Sequence, residues 1–259
     1  LTIAIAPTGK IKLGADDSKP DFSRNAWIAM LFAAGMGIGL VFYGPMEPLA
    51  LFLTPPPYLS GVESGSQEAI LPAFAQAVLH HATLPWMIFA LVGGALAYAA
   101  YRRGRIPLIS SLFEPLITDS NNRVFGKIVD IFAVLVTLFG TATSLGIGAL
   151  QIRTGTSILT GKPLEGNGIM VVIITILTIL FILSAMSGIK RGIRILSNIN
   201  MGLVIGLAVF VLITGPTLYI LDLLPASLLQ FFKHFEDMMS LSASQGEPEK
   251  EFVTAWTML

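Results

Sequence analysis

Apolar residues run along this chain in five long blocks, separated by short segments that hold nearly all of the charge. A bilayer's hydrocarbon core is roughly 30 Å thick and is crossed by about 20 apolar residues in helical form. Five windows meet that length, at about 27–47, 72–101, 128–152, 168–188 and 199–221. The first, from Trp27, reads WIAMLFAAGMGIGLVFYG, and the fourth, GIMVVIITILTILFILSAMSG from Gly168, is the most uniformly apolar. The third opens with Asp130 in its first turn, where a carboxylate meets the positive end of the helix dipole. The fifth carries Pro216 near its far end. Beyond it, SLLQFFKHFEDMMS from Ser227 repeats Leu, Phe and Met at three and four residues among charges, the pattern of an amphipathic helix at a membrane interface. The expectation is an all-α membrane protein with three parts: a polar N-terminal segment over 1–26, a five-helix bundle over 27–221, and a segment over 222–259 that holds the amphipathic helix. The opening LTIAIAP is too short to span and follows no basic region, so no signal peptide is expected.

Composition narrows the class. Charged residues make up 12% of the 259, against about a quarter in soluble domains, hydrophobic residues 54%, and mean hydropathy is +0.76. A water-soluble enzyme of this size is not expected on those grounds. With no cysteine, disulfides, thiolate catalysis and cysteine-ligated metal are excluded too. Sixteen basic residues balance sixteen acidic ones, so no overall charge points to nucleic acid.

That balance conceals a separation. With five spans, successive loops alternate sides, and Lys and Arg mark the cytoplasmic one. Lys10, Lys12, Lys19, Arg24, Arg102, Arg103, Arg105, Arg123, Lys127, Lys190, Arg191 and Arg194 fall on the N-terminal side, and only Arg153, Lys162, Lys233 and Lys250 on the other. The N-terminus is therefore expected in the cytoplasm and the C-terminal end of the chain outside. The runs RRGR from Arg102 and KRGIR from Lys190 serve as topology signals that also suit anionic lipid.

Candidate chemistry is concentrated in three spans. In the first, Gly35 and Gly39 form the G-x-x-x-G spacing that lets helices approach closely. Gly37 points about 200° away and cannot share that face. Three glycines inside a helix cost on the order of 3 kcal/mol against alanine, so local unwinding competes with packing. Unwound backbone at membrane depth is tolerated where it lines a cavity or is covered by protein. The residues alone leave packing and a substrate-lining break both open. In the second span, Trp86 and Phe89 are neighbours at i, i+3, with His81 in a broad arc of the same face. They suit an interfacial aromatic belt, or part of an aromatic box for a cation without hydrogen-bond donors, in which each ring contributes about 0.5 to 2 kcal/mol. His80 and His81 lack the H-E-x-x-H pattern and a third ligand for zinc. In the third span, Thr137, Thr141, Ser144, Gly148 and Gln151 form a polar stripe that must face the bundle, and the two threonines could supply oxygens to a hard monovalent cation. No charged residue falls well inside a span, so neither an intramembrane proton relay nor an acidic partner for the histidines is expected.

The stretch FAAGMGIGLVFYGPMEPL, Phe32 to Leu49, resembles the signature of the betaine/choline/carnitine transporter family. Further segments agree in order: GKIKLG from Gly9, LPW from Leu84, RRGRIPLISSLFEPLI from Arg102, GTATSLGIGALQI from Gly140, SAMSGIKRGIRILSNINM from Ser184 and GPTLYILDLLP from Gly215. The similarity covers almost the whole chain.

That resemblance implies a sodium- or proton-coupled carrier of quaternary ammonium compounds, with a LeuT-like fold of two inverted five-helix repeats after two extra N-terminal helices. This chain matches the first repeat, ending at AWTML where the family's tryptophan-rich second repeat would begin. A transporter fragment for glycine betaine or a related osmolyte is the expectation, and a non-transporting membrane subunit or degenerate remnant is its rival. Carried over residue by residue, Gly35, Gly37 and Gly39 match the segment that meets substrate, with glycine at 39 as in betaine carriers. His81, Trp86 and Phe89 match the aromatic box, with His81 where a Trp is typical and Phe89 where a Tyr is typical. Backbone carbonyls of Ala33 and Met36 match half of one sodium site, and Thr137 and Thr141 part of a second. The resemblance also implies Na+ as coupling ion, a multi-pass position in the cell membrane, and a homotrimer.

Overall fold

A computed structural model describes residues 6, 12–15, 17–35, 37–114, 122–164, 166–242 and 244–257. Among them the ordered elements are helical. The first apolar block is not one helix. It forms α1 over Arg24–Gly35, a π-helical turn over Gly39–Tyr43, and α2 over Gly44–Leu53. The backbone N–H of Ala26 is capped by Ser23 Oγ at 3.3 Å. Pro45 sits in the first turn of α2, where its missing N–H costs nothing.

The second block forms α3 over Gln67–Ala77, a π-helical turn over Val78–Thr83, and α4 over Leu84–Arg103. Pro85 explains the turn. It cannot donate back to the preceding turn, so the ladder widens ahead of it. Thr83 Oγ1 donates to the Val78 carbonyl at 3.2 Å across this stretch. α4 stops at Gly104, whose φ of 64° is left-handed and whose N–H returns to the Ala99 carbonyl.

α5 runs over Asn122–Thr160, α6 over Asn167–Met186 and α7 over Arg194–Thr214. Gly188, at φ 81°, makes the turn from α6 towards α7. Among the described residues, four helical stretches, Gln67–Arg103, Val124–Thr160, Asn167–Met186 and Arg191–Thr214, are long and apolar enough to cross a membrane, and in each window at most 6% is buried inside the protein. The first predicted span differs because its break divides it into two short helices. The fifth also ends earlier than the hydropathy suggests: Gly215–Pro216 terminates α7, and residues 217–221 open α8 over Thr217–Lys233.

α8 begins ten residues before the amphipathic segment expected from Ser227, and α9 over Phe235–Ser240 completes it after a break at His234. Its apolar face meets protein. Phe231 and Met238 close with Ala75 and Leu79 into a buried cluster ringed by Tyr58, Val78, Leu84 and Phe235. Burial, reinforced by the Asp237 carboxylate, pushes the Tyr58 phenol well above its usual range. A last helix, α10, covers Glu247–Thr257. α1 packs on α7, α2 on α3, α3 on α8 and α5 on α6, so the broken first block is held on two sides.

Candidate functional site: the broken first helix and its contacts

The three glycines of the first block behave differently. At Gly35 an added Cβ would lie 2.9 Å from Trp86 Cη2 and 3.3 Å from two further indole carbons. Gly35 is thus the packing glycine, and its missing side chain lets the α4 ring lie against the end of α1. Gly37 and Gly39 have nothing within 4 Å of an added Cβ. They mark the interruption itself, where the helix stops at Gly35 and resumes as a wider turn at Gly39. Met36 lies outside the described residues.

A π-helical turn leaves carbonyls out of line with the regular ladder. One of them, at Val41, accepts a long 3.4 Å hydrogen bond from Gln151 Nε2 on α5. Gly148, one turn earlier on the same stripe, passes 3.8 Å from Ile38 Cδ1 as measured from an added Cβ. The C-terminal end of the expected polar stripe therefore meets the break. Its other end does not: Thr137 and Thr141 are exposed, and their hydroxyls donate to the Ala133 and Thr137 carbonyls at 2.8 and 2.7 Å. Those bonds use the hydroxyl protons and leave oxygen lone pairs free for a cation.

On α4, Trp86 and Phe89 are neighbours as the spacing predicts, with rings edge to face at 6.3 Å. Trp86 is partly buried and Phe89 is 55% exposed. Ala33, on α1, lines a half-open cavity of about 470 Å3 with Ser184, Ser197 and Asn200 of α6 and α7. This cavity has no lining residue in common with the Trp86 contact.

The side of the break towards α2 carries a cluster that corrects the sequence reading. His80 and His81 do have an acidic partner. Glu47 is 2% exposed, and its two carboxylate oxygens are divided between them. His80 Nδ1 donates to Oε1 at 2.5 Å, and His81 Nε2 makes an ion-pair contact with Oε2. That second approach is too bent for a good hydrogen bond, which leaves the buried Nε2 without a linear acceptor. Gln76 extends the chain from α3, its Nε2 lying 3.0 Å from His80 Nε2, while its Oε1 is buried and unpartnered. If His80 gives its Nδ1 proton to Glu47, its Nε2 is the bare nitrogen that accepts from the Gln76 amide. Trp256 of α10 stacks on the His80 ring at 5.9 Å. Hydropathy could not reveal this group, because Glu47 ends an apolar block and the π-helical turn sets which residues of 78–83 face it. A carboxylate between Pro45 and Pro48 inside an otherwise apolar segment was the available signal.

Both contacts tie the same two elements together. Trp86 meets the first block before the break, and His80 and His81 meet it after the break.

The family profile described as BCCT, the betaine/carnitine/choline family of transporters, matches residues 1–259. The betaine/ectoine transporter LcoP of Corynebacterium glutamicum is 48% identical over 257 residues, covering 99% of this chain and 40% of that protein. The glycine betaine transporter OpuD of Bacillus subtilis is 41% identical over the full chain, which covers 50% of it. Glycine betaine transporter 1 of Vibrio parahaemolyticus is 38% identical, with 100% and 48% covered. The chain thus spans half or less of the length of these relatives. With a family match along its whole length and an apolar helical architecture that includes, among the described residues, four stretches long and apolar enough to cross a membrane, this chain belongs to the betaine/carnitine/choline transporter family.

Proposed function

We propose that the complete protein is a secondary carrier that moves glycine betaine or a closely related compatible solute into the cell by alternating access, with Na+ as the co-transported ion. The observation that carries this reading is the Trp86 ring laid over Gly35 at a helix break. A broken helix presents half-helix ends and free carbonyls to a zwitterion, and an adjacent indole face attracts its cationic end. In this scheme the trimethylammonium group rests on Trp86, with His81 and Phe89 beside it and the Gly35, Gly37 and Gly39 backbone beneath. Thr137 and Thr141 offer hydroxyl oxygens one turn apart to sodium, and the Ala33 carbonyl offers another at a separate position. The placement of basic residues supports an N-terminus in the cytoplasm, with α2 and the Glu47 cluster in the outer half of the bilayer.

Titrating the purified complete carrier with glycine betaine, read by tryptophan fluorescence, tests the site. A saturable change that disappears in Trp86→Ala supports the reading, and an unchanged titration in that variant rejects it.

A further inference from the structure

Three polar side chains lie packed between the two broken blocks at a place the carrier scheme does not use. Glu47 comes from α2, and Gln76 and His80 come from the second block. Glu47 Oε1 lies 2.5 Å from His80 Nδ1, and its other oxygen is in contact with His81. Trp256 stacks on the His80 ring at 5.9 Å, with Phe252 at 6.4 Å, so α10 is drawn onto the same imidazole. His80 therefore joins three parts of the chain: the first block beyond its break, the π-helical turn of the second, and α10.

The cluster accommodates His80 with or without a charge. In the neutral ring Nδ1–H donates to Glu47, and the bare Nε2 accepts from the Gln76 amide. In the imidazolium both nitrogens donate. Gln76 meets the second proton by turning its amide, because its Oε1 is buried and without a partner. Protonation strengthens the other two ties as well. The bond to Glu47 becomes charged on both sides, and the ring stacked on Trp256 becomes a cation over an indole face. Among the described residues Glu47 is the ionisable group that α2 contributes, and it is the one in contact with His80. On the second block, His81 meets Glu47, Glu68 lies in the first turn of α3, and Arg102 and Arg103 lie in the last turn of α4. α8 packs on α3 and carries Asp222 and Lys233, and α9 carries Glu236 and Asp237, the latter paired with His234 at 2.9 Å. On α10, Glu247 pairs with Lys250 at 3.1 Å, Glu251 is exposed, and Glu249 shares the face of Phe252 by spacing.

We propose that Glu47, His80 and Trp256 form a proton-operated clasp on the outer side of the carrier. With His80 protonated, α2, the π-helical turn and α10 are held together and outward opening at the break is hindered. With His80 neutral, the clasp loosens and the carrier cycles. The proton regulates and is not transported, and the inference rests on the carrier reading given above. Imidazole changes charge between about pH 5 and 8. Acid outside therefore slows uptake, the opposite of what a co-transported proton would do.

Initial rates of glycine betaine uptake under an inward Na+ gradient are measured in proteoliposomes of the complete carrier, with external pH set from 8 to 5.5 and internal pH held constant. Glycine betaine keeps the same charges across that range. The wild-type maximal rate falls at least about threefold towards pH 5.5 as carriers titrate into the clasped state, while the KM for betaine changes less. His80→Asn, whose amide nitrogen stands where Nδ1 does and takes no charge, flattens the profile. Trp256→Leu removes the indole face and moves the decline to lower pH. Glu249→Gln keeps the wild-type profile. If His80→Asn does not reach the membrane, His80→Gln gives the same uncharged comparison. A wild-type rate that stays level or rises in acid, or an acid decline that survives without His80, overturns the clasp while the carrier reading stands. Absence of betaine uptake at every pH overturns the carrier reading and the clasp with it.

Discussion

The indole of Trp86 lies so close over Gly35 that a Cβ there would stand 2.9 Å from Cη2. The ring must move to admit even one methyl group. We expect Gly35→Ala to destabilise the protein by about 1–3 kcal/mol, the usual cost of overpacking a fitted contact. Gly37→Ala and Gly39→Ala meet open space and cost less. Thermal melting of the three variants in one detergent checks the order, and an equal loss at all three would mean that the Trp86 contact is not the constraint.

Glu47 stands between two histidines and is nearly sealed from solvent. Glu47→Ala removes both partners at once and leaves partly buried imidazole nitrogens with nothing to bond, which costs about 1–3 kcal/mol for each group stranded. Glu47→Gln keeps one acceptor and loses less. Melting temperatures should fall in the order wild type, Glu47→Gln, Glu47→Ala.

Gln151 reaches from α5 to the Val41 carbonyl within the π-helical turn. The bond is long, so Gln151→Leu should cost no more than about 1 kcal/mol of stability. Its larger effect should fall on substrate affinity, because the carbonyl it steadies belongs to the break. A variant with reduced stability and unchanged affinity would argue against that coupling.

Tyr58 supplies a pH prediction. Its phenol is pushed up in the folded protein relative to the ordinary value of about 10. The folded state therefore favours the protonated form, and this contribution to stability is complete below about pH 10 and is lost progressively above it. Melting curves from pH 8 to 11 should show a steeper alkaline decline for the wild type than for Tyr58→Phe. Parallel declines would contradict the assignment.

The sequence made the apolar architecture legible because hydropathy over 20 residues marks helices long and apolar enough to cross a membrane, and α5 and α6 form continuous helices through two such blocks. It also showed that three glycines at 35, 37 and 39 strain a helix. It could not separate them, since only the fold shows that Gly35 packs while Gly37 and Gly39 have open space around them. α7 ends earlier than the hydropathy pattern indicates for a local reason: Gly215–Pro216 ends the helix within an apolar run that hydropathy reads as continuous. The Glu47 cluster was missed for a deeper one. Glu47 lies 33 residues before His80, and the π-helical turn over Val78–Thr83 departs from the 3.6-residue register that the pattern assumes.

Sodium-driven uptake is the central claim, and proteoliposomes containing the complete carrier test it most directly. With an inward Na+ gradient, radiolabelled glycine betaine should accumulate above its external concentration; it should fail to do so when Na+ is replaced by K+, and should fall at least tenfold in Trp86→Ala. Accumulation that is indifferent to Na+ and intact without Trp86 would contradict the account.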